Sequence, residues 1–309
     1  MKIHSLAASA VLAALLLFTG CAEQPTDPSD TTMSRSDQGL GIRAAQSVQA
    51  FGATTSRLDS ALQANDAISI VAQIDHAANA QQADLSLPAM RLTLFGNPQL
   101  GTPLMQANPQ AGIDLPQKML VYGATPTEAL VFYNDPAYLA QRHGLSDVGA
   151  IDTMTTALQR LTQRVAGSAS SMLDTTAVES GAGLAVLKSS RSVAEAYNQI
   201  RSAIEGNDAL SIMAELDHAA NAESAGLTLP PTRLIVFGNP QLGTPLMQSE
   251  PTTALDLPQK MLVYQDSAGT TQIAYNEPSF LARRHGLEGH DDTLQQMSDA
   301  LQSLAEAGQ

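Results

Sequence analysis

The chain has one cysteine and no tryptophan. A single thiol excludes an internal disulfide framework, and six Phe with six Tyr supply few rings for stacking bases or sugars. Positive charge is also short. Sixteen Lys and Arg face thirty Asp and Glu, a formal net charge of −14, and no basic run interrupts the sequence. An acidic surface repels phosphate backbones, so nucleic acid is excluded as a partner. No apolar run reaches the roughly 20 residues needed to span a bilayer. Catalytic signatures are missing too: there is no G-x-S-x-G elbow, no H-E-x-x-H and no dinucleotide fingerprint. No cofactor and no resident metal are implied.

What is present begins with an address. Lys2 precedes an apolar run from Leu6 to Phe18, which has the length of a signal-peptide core. It leads into Phe18-Thr19-Gly20-Cys21, a segment that resembles a bacterial lipobox and makes Cys21 the lipidation site. A spare thiol in an oxidising compartment is a liability that acylation removes. Residues 1–20 are therefore expected to be a lipoprotein signal peptide. Residues 21–38, rich in Pro, Ser, Thr and Asp, cannot bury enough apolar surface to fold and are expected to be a disordered tether. Ala22, not Asp, follows the cysteine; by resemblance to enterobacterial lipoproteins, this implies an outer-membrane anchor facing the periplasm.

The remainder is one sequence written twice. A constant offset carries Asp75-His76 onto Asp217-His218, Gly96 onto Gly238, Tyr122 onto Tyr264 and His143 onto His285. Phe95 to Gln106 is identical to Phe237 to Gln248, and Asp114 to Tyr122 to Asp256 to Tyr264. The boundaries read as a first repeat domain at 39–166, a Ser/Ala/Gly-rich linker at 167–180 and a second repeat domain at 181–309.

Each repeat alternates helix and strand patterns. Val193, Tyr197, Ile200 and Ile204 lie on one helical face, as do Phe51, Thr55, Leu58 and Leu62. Ile68, Ile70, Ala72 and Ile74 alternate with polar residues as a half-buried strand does. Asp75 is placed to cap a short helix from His76. Arg91 to Phe95 is a short apolar run suited to a central strand. Asn97-Pro98 and Thr102-Pro103 each read as a helix start. Lys118 to Tyr122 and Ala129 to Tyr133 form a hairpin. A helix opens near Pro136 and stops at Gly144, and an amphipathic helix at Met154 to Val165 closes the repeat. The class is α+β: two repeated two-layer domains, each a small mixed or antiparallel sheet with helices packed on one face.

Asp-His-Ala-Ala-Asn-Ala from Asp75, Phe-Gly-Asn-Pro-Gln-Leu-Gly-Thr-Pro-Leu-Met from Phe95, Asp-Leu-Pro-Gln-Lys-Met-Leu-Val-Tyr from Asp114 and Arg-His-Gly-Leu from Arg142 together resemble the domain-of-unknown-function 302 family. The resemblance covers both repeats. It implies a compact α+β fold whose single-copy relatives pair as dimers, and no established activity. Two linked copies are expected to pack about a pseudo-two-fold axis, replacing a homodimer.

The candidate ligand-binding residues are the repeated Asp75, His76, Asn97, Lys118 and His143, with their equivalents Asp217, His218, Asn239, Lys260 and His285. The blander reading makes Asp75 a cap and puts His143 at a helix C-terminus, where a cation suits the dipole. Backbone N–H groups after Phe95, with Lys118 nearby, are candidates to receive a small or anionic ligand. The rival reading of that segment is a turn needing its Gly and Pro for geometry. A hydrolase-like enzyme using the Asp-His pair is one alternative, with His as acid or base. A metal site assembled from His76 and His143 is another, with Met105 and Met119 as copper ligands in place of core residues. The leading expectation is a non-catalytic ligand-binding or assembly module of the cell envelope.

Overall fold

Alternation in each strand sends successive side chains to opposite faces of its sheet, and here both faces are apolar. The computed structural model describes residues 40–309, which belong to one compact unit. The expected signal peptide, Cys21 and the tether lie outside the described residues. The first repeat runs β1 (Ile42–Ser47), α1 (Phe51–Gln63), β2 (Ser69–Asp75), α2 (His76–Gln82), β3 (Met90–Gly96), α3 (Pro98–Ala107), β4 (Gln117–Tyr122), β5 (Ala129–Asn134), α4 (Pro136–His143) and α5 (Ala150–Ala166). The short β6 (Ser171–Met172) follows. The second repeat matches it with β7 (Leu184–Ser189), α6 (Val193–Glu205), β8 (Ser211–Asp217), α7 (His218–Ser224), β9 (Thr232–Gly238), α8 (Pro240–Ser249), β10 (Gln259–Gln265), β11 (Thr271–Asn276), α9 (Pro278–His285) and α10 (Asp291–Ala307).

The sheets have the orders β2-β3-β4-β5-β1-β6 and β7-β11-β10-β9-β8, and neighbouring strands are antiparallel. Phe95, Met119, Val121 and Val131 face α1 and α5. Leu92, Leu94, Leu120 and Phe132 point the other way and share a core with Leu234, Val236, Leu262 and Ala274 of the second repeat. Helices cover one face of each sheet, as expected, and the two remaining faces cover each other. A strand buried on both sides is apolar at most positions, which is why β3 and β9 read as short apolar runs after Arg91 and Arg233.

One local reading is revised, and two strands join those read from the sequence. Thr102-Pro103 does not start a helix: α3 begins once, capped by Asn97, and continues through Pro103. Ala-rich β1 carries no clear alternation in the sequence, yet it pairs with β5 along its whole length. Within the linker, β6 adds two residues to the edge at β1.

A short 3-10 turn follows α3 (Pro109–Ile113) and another follows α8 (Pro251–Leu255). Each is pressed against the other repeat's sheet. A Cβ on Gly112 would lie 2.9 Å from Leu262 Cδ1 and 3.3 Å from Met105 Sδ. Gly112→Val is therefore expected to lower the unfolding free energy by about 1–3 kcal/mol through overpacking. Urea denaturation of the full chain checks this, and an unchanged midpoint would show that the turn can move away.

Candidate functional site at the seam between the repeats

The identical stretch from Phe95 to Gln106 and its copy hold the repeats together. Gln99 donates to the Ala225 carbonyl at 2.7 Å and Gln106 to that of Thr228 at 2.7 Å. In return Gln241 donates to Ala83 and Gln248 to Ser86, each at 2.8 Å. Such reciprocity is the mark of a two-fold interface. The residues stand seven apart, two helical turns, so both reach the same neighbour. The sequence carried this signal as paired identical glutamines on one face of α3 and α8.

The Asp-His pairs divide their duties. Asp75 Oδ1 accepts from the Ala78 N–H at 2.9 Å and Asp217 Oδ1 from Ala220 at 2.9 Å, both as N-caps. His76 Nε2 donates 3.1 Å across the seam to the Ala254 carbonyl, and His218 Nε2 donates 3.2 Å to that of Gly112. Burial lowers both rings to a pKa of about 4, the carbonyl hydrogen bond recovering only part. Both imidazoles are neutral near pH 7, with the proton on Nε2 and a lone pair on Nδ1. Each Asp is turned to its own helix and orients no imidazole.

Two apolar pockets open along this seam. One, of about 170 Å³, is walled by Phe95, Met105, Gln117 and Met154 of the first repeat and closed by His218 of the second. The other, of about 70 Å³, is walled by Phe237, Met247, Gln259 and Met297 and closed by His76. Asn97 and Asn239 stand at their rims as N-caps, accepting at 2.9 Å from Gln99 and Gln241. Neither wall contains a charged residue. Met105 lies in the first pocket wall, while Met119 is core.

Lys118 and Lys260 go elsewhere. On β4 the neighbours Gln117 and Lys118 face opposite ways, so the amide enters the pocket and the amine enters the layer between the sheets. There it meets a buried ionic centre. Arg142 and His143 both donate to Asp114 Oδ2, at 2.8 and 2.9 Å. Lys118 donates to Asp256 Oδ1 at 2.9 Å, while Arg284 and His285 share Asp256 Oδ2. Arg142 reaches Asn276 and Arg284 reaches Asn134, each at 2.8 Å across the seam. Arg142 also lies over the Phe280 ring and Arg284 over Tyr138. The sequence has no basic run, and the fold gathers these groups from separate segments.

Four basic side chains, Arg142, Arg284, Lys118 and Lys260, none more than 3% exposed, face two carboxylates. Burial pushes the Asp114 carboxyl up, but Arg142 and His143 outweigh it and hold it well below the usual range. Asp256 is depressed likewise, burial being overcome by Arg284, Lys118 and His285. Lys260 donates only to the Asp256 main-chain carbonyl, at 3.1 Å. Burial and the neighbouring Lys118 bring its amine down to about 7, against the partial pull of Asp256 and Asp114.

The sequence candidates are thus not brought together as one group per repeat. His76 and Asn239 meet at one pocket, and His218 and Asn97 at the other. Lys118, Lys260, His143 and His285 join the ionic centre. Asp75 and Asp217 stay at their caps. His76 and His143 therefore do not converge, and among the described residues no three His, Cys, Asp or Glu side chains are placed to hold a metal. The pocket residues missed in the sequence are Gln117 and Gln259, hidden beside more conspicuous lysines.

Comparison with known proteins places this sequence in a family. The profile described as "Domain of unknown function DUF302" matches residues 44–165 and again 186–304. The "Fluoride-specific ion channel FluC 1" of Brucella suis biovar 1 is 43% identical over 105 residues, which is 34% of this chain and 41% of that protein. The protein of the same name from Brucella abortus biovar 1 is also 43% identical over 105 residues, 34% of this chain and 38% of its own length. The chain thus spans about two fifths of the curated relatives it matches. Among solved structures, an uncharacterized conserved DUF302 protein from Bacillus stearothermophilus aligns with a TM-score of 0.38 and 16% identity, covering 41% of this chain and 99% of that one. The chain belongs to the DUF302 family and carries two copies of its domain in tandem.

Proposed function

We propose that the protein is a non-catalytic binding module of the bacterial cell envelope, held through a lipid on Cys21 at the outer membrane and facing the periplasm. Its binding sites are the two seam pockets. The observation supporting this is that each pocket is walled by one repeat and closed by a neutral histidine of the other, so tandem duplication supplies both halves of both sites in one chain. Neutral histidines donating to carbonyls suit a binding wall better than acid–base chemistry. The channel activity in the relatives' name is not carried over, because the shared stretch spans about two fifths of them.

The anchor is tested by expressing the full sequence in a bacterial host and weighing the mature amino terminus. The expected species begins at Cys21 and carries fatty acids, and Cys21→Ser is expected to move the protein from the membrane to the soluble fraction. A mature chain without fatty acid would remove the anchor from the proposal.

A further inference from the structure

We infer that the occupant of the seam pockets is a small neutral molecule, mostly apolar, with one head group that both donates and accepts hydrogen bonds, such as a primary amide or an alcohol. This rests on the binding reading above and narrows it.

Size comes first. A cavity of about 150 Å³ lined by apolar side chains holds a molecule the size of benzene, and the pocket closed by His218 is about 170 Å³. Its counterpart, at about 70 Å³, is too small for a ring. The two sites are therefore unequal, and the larger takes the ring-sized occupant.

Charge comes second. The walls hold leucine, methionine, phenylalanine and proline, and no Lys, Arg, Asp or Glu. His218 and His76 are neutral near pH 7 because burial outweighs the carbonyl hydrogen bonds, which favour the charged ring. An ion entering such a wall would lose its hydration without a counter-charge, which is costly. Lys118, the one cation the sequence offered to an anionic ligand, faces the opposite side of its strand. The pocket is built against anions.

Head-group chemistry comes third. Gln117 is 6% exposed and its Oε1 has no hydrogen-bond partner, while its Nε2 reaches only the Met154 thioether at 2.9 Å. Thioether sulfur is a weak acceptor. In the other pocket both side-chain polar atoms of Gln259 and the Thr244 hydroxyl are buried without partners. Buried polar atoms of this kind are uncommon and costly. Equivalent positions in the two repeats thus present an unmatched amide to an apolar cavity. A carboxamide or alcohol on the occupant meets that amide with a donor and an acceptor. A water could meet it too, but it would leave the apolar wall wetted.

The test uses the full chain near neutral pH with three ring probes: benzamide, toluene and benzoate. Binding is followed by ligand-detected NMR and by the shift in unfolding temperature. Benzamide is expected to bind about tenfold more tightly than toluene, the worth of one well-made buried hydrogen bond, and benzoate more weakly than either. Gln117→Met, which keeps the shape and removes the amide, is expected to erase the preference for benzamide over toluene. Equal binding of all three probes, or tightest binding of benzoate, would overturn the inferred class while leaving the binding reading intact. Binding by none of them would remove both. The comparison among probes needs no variant, so the class stays testable even where Gln117→Met fails to fold.

Discussion

Asp256→Asn is expected to lower the unfolding free energy by about 3–5 kcal/mol, the usual cost of breaking a buried ion pair from one side. Asp256 is 1% exposed and answers Lys118 on one oxygen and Arg284 with His285 on the other. An amide in its place keeps one acceptor and turns N–H groups toward cations that have lost their counter-charge. A typical domain has only about 5–15 kcal/mol to lose. The equivalent change, Asp114→Asn, is expected to cost less, because Asp114 answers Arg142 and His143 but accepts from neither lysine. Urea denaturation of both variants measures the difference. Adding Lys118→Met to Asp256→Asn should recover part of the loss, since it removes one of the stranded charges. A cost for Asp256→Asn below about 1 kcal/mol, the range of exposed pairs, would show that water reaches the centre.

The same centre shows where reading the sequence stopped short. Helix and strand periods located α1, β2, β3 and the β4–β5 hairpin, because those segments bury one face or two and their patterns say so. Asp75 declared itself a cap, and it caps. Strand β1 did not declare itself: after Ile42 its residues are small or polar, and its place is set by pairing with β5, a partner more than 80 residues away. The candidate site residues are divided by the fold between the pockets, the caps and the ionic centre. Lys118 drew attention as a charge beside a glycine-rich turn, yet one position along a strand reverses the direction of a side chain. Gln117, the residue that enters the pocket, looked like filler. Histidines repeated between copies suggested one site per copy, whereas the geometry exchanges His76 and His218 across the seam and keeps His143 and His285 on their own repeats' carboxylates. Identity after a duplication preserves contacts within a copy and contacts between copies alike, and one sequence cannot tell them apart.

Acid should take the seam apart before it titrates the carboxylates. His76 and His218 have pKa values of about 4 in the folded protein, against about 6.5 for a free imidazole. Both are bases with depressed folded-state values, so the unfolded chain binds more protons and stability falls as pH falls. Above pH 6.5 neither state is protonated there, and the histidines contribute no pH dependence. Between about 6.5 and 4 each costs up to about 3 kcal/mol, following from about 1.4 kcal/mol per pKa unit. His285, also lowered by burial, adds to the same slope. Asp114 and Asp256 act with the same sign but at lower pH, since their depressed values begin to matter only below the ordinary carboxylate range. Unfolding free energy measured from pH 7 to pH 4 should therefore drop steeply, while the pocket histidines of the folded protein stay neutral down to about pH 4, so ligand binding is expected to persist until the chain unfolds. The double variant His76→Gln/His218→Gln keeps a donor for the Ala254 and Gly112 carbonyls and removes the titrating rings. Its stability should vary far less across that window. A slope unchanged by the double variant would place the acid sensitivity elsewhere and show that these imidazoles exchange protons freely with water.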